Sequence, residues 1–166
     1  MRPRYFLFFL VSAIVLGLDI FTKKLALDNL SGSEALEIIP GLFNLVLVFN
    51  QGAAFGFLGN TNDTWQIWLF LGVTAITIGV IICLMHKIQD NKPAFFGLAL
   101  ILGGALGNMV DRIRYQAVVD FLDFYWQTWH WPAFNVADTA ICTGAGLALL
   151  ALWRQDRHKA AARKNS

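Results

Sequence analysis

The sequence predicts a mainly α-helical membrane protein with four transmembrane helices and a small β-sheet, or cradle, on the outer membrane surface. The 166 residues are 57% hydrophobic and 14% charged, whereas ordinary soluble domains are ~45–50% apolar and about 25% charged. The apolar residues form four blocks, which favours membrane spans over one large soluble core. Basic residues concentrate at alternate ends of these blocks. The chain, residues 1–166, is therefore predicted to be a single integral membrane domain.

The four apolar blocks are predicted to be spans because a helix crosses the hydrocarbon in roughly 20 residues, with a range of about 17–25. Only the second uncharged block reaches this length outright, and the others reach it by including a polar residue near one end. The first block follows "MRPR" and could be a cleavable signal peptide. It lacks a convincing cleavage site, and Asp19 and Lys23 continue a helix-compatible sequence, so it is predicted to be retained. The predicted spans are about 5–27, 65–86, 93–112 and 137–154.

Basic residues set the expected orientation of the spans. They flank the N-terminus, occur in the 87–92 loop and fill the tail at 155–166, whereas residues 28–64 contain four acids and no Lys or Arg. Both termini and the tail are therefore expected in the cytoplasm, with 28–64 and 111–138 on the outer side. A nucleic-acid-binding tail is disfavoured because it has no interleaved aromatic residues.

The outer segment at about 34–58 differs in character from the spans. Its β-branched and aromatic residues are divided by a Pro-Gly pair, which predicts two short strands around a turn. Residues 43–50 are apolar at nearly every position, so this sheet is expected to rest on the membrane surface. Gly52 permits a tight turn after it. In span three, Gly103 and Gly107 form a small-xxx-small stripe, for which close helix packing is a sufficient explanation.

The unusual polar residues are predicted to meet at one depth, the outer membrane–water boundary. Asp19 lies roughly 21 Å beyond Tyr5 at 1.5 Å per residue, and Lys23 follows on the same helical face. Ionisable groups within spans are costly and are functional hypotheses by default. The other members of this group are Asn50, Asn108, Asp111, Arg112, Asp120, Asp123, Asn135 and Asp138.

Several of these residues also have a structural interpretation. Asp19 and Lys23 could form a structural ion pair or contact a substrate. Arg112 could pair with Asp111 or anchor the end of its helix. Asn135 could serve as a helix N-cap, a position that asparagine favours.

The remaining acids differ in how readily a structural role explains them. Asp123 lies at a wet boundary beside aromatic residues and is better explained as a structural acid. Asp120 and Asp138 are harder to explain in this way, because apolar residues flank both and neither has a basic neighbour within four positions. Cys83 and Cys142 fall inside predicted spans and are expected to be free thiols.

The available chemistry narrows to a pair of carboxylates. The four serines have no plausible base at the shared depth, the three histidines are scattered, and no zinc-binding motif is present. Two close carboxylates do not both ionise easily, so the pair can activate water while donating to a carbonyl. An aspartic hydrolase is favoured. A proton-coupled transporter is disfavoured because the acids cluster at one face, and a non-catalytic scaffold gives Asp120 and Asp138 no reason to be acids.

Five motifs together resemble the lipoprotein signal peptidases, the bacterial signal peptidase II family of intramembrane aspartic proteases. The resemblance covers about residues 15–145. It rests on "DIFTK" at 19–23, "NQGAAFG" at 50–56, "GGALGNMVDR" at 103–112, "VVDFLDFY" at 118–125 and "FNVADTAI" at 134–141.

The resemblance implies that Asp120 and Asp138 are the catalytic pair and that the strands near Pro40 form a membrane-resting β-cradle. It implies a diacylglyceryl-modified prolipoprotein substrate cleaved just before the lipid-modified cysteine, membrane lipids as surroundings, and no metal or organic cofactor. It further implies a monomer in the bacterial inner membrane that is sensitive to globomycin-type inhibitors. Supporting or substrate-binding roles are implied for Asp19, Lys23, Asn50, Gly52, Asn108, Arg112 and Asn135.

Overall fold

The protein is described by a computed structural model that covers residues 3–30, 35–52, 65–88 and 90–164, with side chains up to residue 159. Within these residues four helices are long and apolar enough to cross a membrane, which confirms the predicted fold class. They are α1 (Pro3–Leu30), α2 (Trp65–Lys87), α3 (Lys92–Tyr115) and α4 (Val136–Lys164). The end of the predicted outer β segment, residues 53–58, lies outside the described residues.

Two helices extend well beyond the apolar blocks that predict them. α1 runs to Leu30, and α4 continues to Lys164 through most of the segment predicted as a tail. The continuation of α4 is rich in Ala, Arg, Lys and Gln, which are strong helix formers. Polar residues can therefore prolong a span past the hydrocarbon without breaking its hydrogen-bond ladder.

The third helix is the centre of the bundle and contacts α1, α2 and α4. Its glycines permit these contacts, because a Cβ at Gly103 would lie 2.6 Å from the Ser12 carbonyl of α1. A Cβ at Gly104 would overlap the Ala137 carbonyl of α4. The Ser12 hydroxyl also donates to a carbonyl of α3. The predicted packing role of Gly103 is therefore confirmed, and α3 is held at close range between two neighbours.

A four-stranded antiparallel sheet stands at one end of the bundle in the order β1-β2-β3-β4. The predicted strand pair around the Pro-Gly turn is confirmed as β1 and β2. The third strand follows α3 directly; from the sequence it is predicted only as part of an outer segment, although its Val, Phe, Tyr and Trp residues favour a strand. The strands are β1 (Leu36–Ile39), β2 (Phe43–Asn50), β3 (Val118–Trp126) and β4 (Trp129–His130).

A one-residue shift in the pairing of β2 with β3 decides which side chains share a face. Before the shift Asn44 lies opposite Asp123, and after it Asn50 lies opposite Val118. Because side chains alternate between faces, the extra residue moves the later part of β2 to the other face. Asn44 therefore shares a face with Asp123, while Asn50 shares the face of Asp120.

Candidate active site

Asp120 is a buried carboxylate on β3 that is held by two amides. Its side chain is 1% exposed, and its oxygens accept hydrogen bonds from Asn135 Nδ2 at 2.7 Å and Asn50 Nδ2 at 3.0 Å. Asn50 is oriented in turn by the Gly52 N–H, which donates to its Oδ1 at 2.9 Å. Burial raises the pKa of Asp120 to about 6; the nearby charge of Asp138 adds to this rise, and the two amide hydrogen bonds oppose it.

Asp138 lies in the first turn of α4 and forms a reciprocal cap with Asn135. The Asn135 Oδ1 accepts from the Asp138 N–H at 2.9 Å, and Asp138 Oδ2 accepts from the Asn135 N–H at 3.3 Å. This is the geometry of a capping box. Asn135 is therefore an N-cap, as one of its interpretations predicts, and at the same time the amide that holds Asp120.

Asn108 of α3 completes the connection between the two carboxylates. Its Nδ2 donates to Asp138 Oδ1 at 2.8 Å, while its Oδ1 accepts from Lys23 Nζ at 3.0 Å and Asn135 Nδ2 at 3.3 Å. A continuous set of hydrogen bonds thus runs from Asp138 through two asparagines to Asp120. Fully connected networks of this kind fix the geometry of buried polar groups.

A buried ion cluster lies next to the two carboxylates. Lys23 Nζ lies 2.8 Å from Asp19 Oδ2 and 2.8 Å from Asp111 Oδ2, and all three residues are at most 4% exposed. Asp19 Oδ1 also accepts from the Ala137 N–H of α4 at 2.9 Å, and Asp111 Oδ2 accepts from the Val119 N–H of β3 at 3.1 Å. The cluster therefore ties α1, α3, α4 and β3 together beside the carboxylate pair.

Two glycines leave space that the site requires. A Cβ at Gly107 would lie 3.0 Å from Asp19 Cγ and overlap its carboxylate. The predicted packing role of this glycine is thus specifically the close approach of Asp19. Gly52 has φ +97, where L side chains are strained, and a Cβ there would overlap the Phe70 ring.

Arg112 does not pair with Asp111 among the described residues, and that alternative is wrong. Consecutive helical residues do not face each other, so Asp111 turns to Lys23. The Arg112 guanidinium lies 5.3 Å from the centroid of the Phe70 ring of α2. It interacts electrostatically with the acids of the site, but within the described part of the chain it forms no ion pair with them.

Asp111 belongs to the polar group predicted from the sequence, but the family resemblance gives it no role in the site. Its signal is the spacing of Gly104, Gly107, Asn108 and Asp111, which places all four on one face of α3. Asn108 and Asp111 both belong to the predicted group, and this shared face indicates that Asp111 lies beside Asn108 in the site. The adjacent Arg112 suggests instead that Asp111 has a partner next to it in the sequence, which obscures its pairing with Lys23.

Asp123 lies on the face of the sheet opposite Asp120 and is held by its own partners. Its side chain is buried, accepts from Asn44 Nδ2 at 3.1 Å, and lies 3.0 Å from His130 Nδ1. The His130 ring stacks on Tyr125 at 5.1 Å between centroids. This is the arrangement expected of a structural acid that fastens β4 to the sheet.

Other candidate chemistries find no support in the described ranges. The two cysteines are free, and no group of three or more His, Cys, Asp or Glu side chains there could hold a metal ion. The residues that the structure does bring together are Asp19, Lys23, Asn50, Asn108, Asp111, Asp120, Asn135 and Asp138.

Comparison with known proteins gives consistent matches over nearly the whole chain. The family model described as "Signal peptidase (SPase) II" matches residues 11–154. The lipoprotein signal peptidase of Oleidesulfovibrio alaskensis is 46% identical, over 93% of this chain and 99% of that protein. Its counterpart in Nitratidesulfovibrio vulgaris is 50% identical, over 87% of this chain and 88% of that protein.

A solved structure described as a bacterial membrane enzyme has the same fold. It is 29% identical and superposes with a TM-score of 0.75 over 90% of this chain and 89% of that one. A second structure with the same description gives a TM-score of 0.71 at 29% identity, over 86% of this chain and 90% of that one. The sequence and fold matches agree, and this chain belongs to the signal peptidase II family.

Proposed function

We propose that the protein is an intramembrane aspartic endopeptidase that removes signal peptides from diacylglyceryl-modified prolipoproteins, cleaving just before the lipid-modified cysteine. Family membership supports the substrate class. The observation that carries the mechanism is the hydrogen-bonded connection between Asp120 and Asp138 through Asn108 and Asn135. Two carboxylates held in one hydrogen-bonded network can share a proton, as an acid and a base that act on one water molecule require.

The environments of the two aspartates suggest different roles. Burial favours the protonated form of Asp120, whose pKa is raised to about 6. Asp138 lies in the first turn of α4 and is only partly buried, which leaves it more accessible to a water molecule than Asp120. We therefore assign the proton to Asp120 and the general-base role to Asp138.

In the proposed reaction Asp138 takes a proton from water as the water oxygen attacks the peptide carbonyl. Asp120 donates its proton to the carbonyl oxygen, which gives a neutral tetrahedral diol. The C–N bond then breaks as Asp138 returns its proton to the leaving nitrogen and Asp120 recovers a proton from the diol. The products are a carboxylic acid and an amine, and both aspartates regain their starting states.

The supporting residues hold this geometry in the proposal. The Asp120 carboxylate is oriented by its hydrogen bonds with Asn135 and with Asn50, which the Gly52 N–H orients in turn. Lys23 and Asp19 fix the depth at which α4 begins.

Several further features belong to the proposal. Arg112 contributes positive charge from the side of Phe70. The diacylglyceryl group of the substrate would hold the scissile bond at the same depth, a positioning effect that can lower the barrier substantially.

In this proposal the protein acts as a monomer in the bacterial inner membrane. Both termini are cytoplasmic, and the carboxylate pair lies near the outer face. It needs no cofactor and is inhibited by globomycin-type compounds.

A cleavage assay with matched peptides tests this function. Purified protein would be incubated with a prolipoprotein peptide whose cysteine carries diacylglycerol and with the same peptide unmodified, and mass spectrometry would identify the bond cut. We expect cleavage immediately before the modified cysteine and little turnover of the unmodified peptide. Cleavage elsewhere, or equal turnover of both peptides, would refute the proposed substrate.

A further inference from the structure

A groove between α1 and α3 lies at the end of the bundle away from the carboxylate pair. It is bordered by Arg4 and Lys92, and Lys92 stands about 24 Å from Asn108 along α3 at 1.5 Å per residue. The groove encloses about 410 Å³, which falls in the range of roughly 300–1,000 Å³ typical of small-molecule sites. The proposed peptidase reaction does not use it.

The walls of this groove are apolar and open towards the surrounding bilayer. They include Leu7 and Phe8 of α1 and Phe95 and Phe96 of α3. Phe8 and Phe95 are buried and form the floor, whereas Leu7 is 55% and Phe96 44% exposed. A hydrocarbon chain could therefore enter sideways from the bilayer and contact aromatic rings on both helices.

The rim of the groove carries a net positive charge. Arg4 Nη1 lies 3.2 Å from Asp90 Oδ1, but the Asp90 side chain is 91% exposed, so this pair is weak. The described residues give Lys92 no ion pair. Two cations and one carboxylate leave one positive charge at the mouth of an apolar groove. A phosphodiester headgroup carries the matching single negative charge.

We propose that this groove binds one anionic phospholipid, with its phosphodiester on Arg4 and Lys92 and an acyl chain along the apolar walls. Guanidinium groups suit phosphate because they donate two parallel hydrogen bonds. Basic pockets between transmembrane helices are known sites for acidic lipid headgroups. In the orientation proposed above, the lipid belongs to the cytoplasmic leaflet. Asp90 competes with the phosphate for Arg4 and so limits the affinity.

The test measures lipid binding to the full-length protein released from detergent micelles by native mass spectrometry. Phosphatidylglycerol and phosphatidylcholine of identical acyl chains would be titrated separately. One net cation near the headgroup predicts about fivefold tighter binding of phosphatidylglycerol. The Arg4→Gln/Lys92→Gln variant keeps only the Asp90 carboxylate, so it should bind phosphatidylglycerol about fivefold more weakly than phosphatidylcholine, whereas Asp90→Asn should strengthen the wild-type preference by about another fivefold. Lys87→Gln, which removes a cation from the same end outside the groove, should change nothing.

Three results would overturn the proposal. The first is equal binding of the two lipids by the wild-type protein, which would reduce the groove to a non-selective apolar surface. The second is a weaker preference for phosphatidylglycerol in Asp90→Asn, or a loss of that preference in Lys87→Gln as large as the loss in Arg4→Gln/Lys92→Gln. The third is binding of glycerol phosphate as tightly as the lipid, which would indicate a soluble phosphate site. Unchanged thermal unfolding of each variant verifies that these differences do not arise from misfolding.

Discussion

Replacing Lys23 by Met tests whether the buried ion cluster holds the site together. The substitution keeps a long apolar side chain but removes the only positive charge within 4.0 Å of Asp19 and Asp111 among the described residues. The cluster would then change from a net charge of −1, one cation and two carboxylates, to −2. Both carboxylates would stay buried against α4 and β3 through their backbone hydrogen bonds.

The expected loss of stability is large. Removing one partner of a buried ion pair costs about 3–5 kcal/mol because the other charge is left uncompensated. For a chain of this size each kcal/mol corresponds to about 2–4 °C, so the melting temperature should fall by about 6–20 °C. Adding Asp111→Asn to Lys23→Met removes one stranded charge. Asp111→Asn should therefore lower the free energy of unfolding less in the Lys23→Met protein than in the wild-type protein, and the difference, which is the coupling energy, should be about 0.5–3 kcal/mol.

Thermal unfolding in detergent, followed by fluorescence, provides the measurement. Lys24→Met is the matched control, since Lys24 neighbours Lys23 but is exposed and pairs with Asp28 at the surface. It should leave the melting temperature nearly unchanged. Equal losses in Lys23→Met and Lys24→Met, or strictly additive effects of Lys23→Met and Asp111→Asn, would refute the structural role of the cluster.

Three further substitutions test separate parts of the site. For Asp120 the folded pKa of about 6 exceeds the ordinary 3.8, so its stabilising contribution is full below pH 3.8 and is lost as pH rises through about 6. The loss amounts to about 3 kcal/mol. Asp120→Asn should thus destabilise less at pH 8 than at pH 3.5, and identical melting shifts at both would contradict this. Gly107→Ala should disrupt the Asp19 contact and lower both stability and cleavage, while Gly79→Ala, which meets no atom within 4 Å, should be tolerated. Asn135→Ala should cost about 1–3 kcal/mol, and Asn135→Ser should recover stability through capping but not cleavage, since serine cannot replace the amide donor.

Sequence alone predicts the spans and most of the polar cluster because both follow from short-range rules. A run of apolar residues has one low-energy position in a bilayer, and Asp19 and Lys23 share a face through helical periodicity. The same rules bring Asn108 and Asp138 to one depth. They do not say which side chains touch, since contacts between helices depend on how closely α3 packs at its glycines.

The parts that escape prediction depend on long-range pairing. The one-residue shift in β2 moves Asn50 to the face of Asp120 and leaves Asn44 with Asp123. No local pattern specifies this shift, because it arises only when β2 pairs with a strand that is distant in the sequence. Asn50 and Asp120, which form a hydrogen bond across the two strands, are 70 residues apart. The partner of Asp111 is equally remote, and Arg112 beside it is a misleading neighbour.

The most direct test of the proposed mechanism is single-turnover cleavage of the diacylglyceryl-modified peptide by three variants. Asp120→Asn and Asp138→Asn change the two proposed reacting carboxylates, and Asp123→Asn changes a buried acid on the opposite face of the same strand. General acid–base groups contribute about 10²–10⁴-fold each, so either dyad variant should lose at least that much rate while still binding the peptide. Asp123→Asn should retain cleavage. Near-normal turnover by Asp120→Asn or Asp138→Asn, or an equal loss in all three variants, would contradict the assignment of the pair.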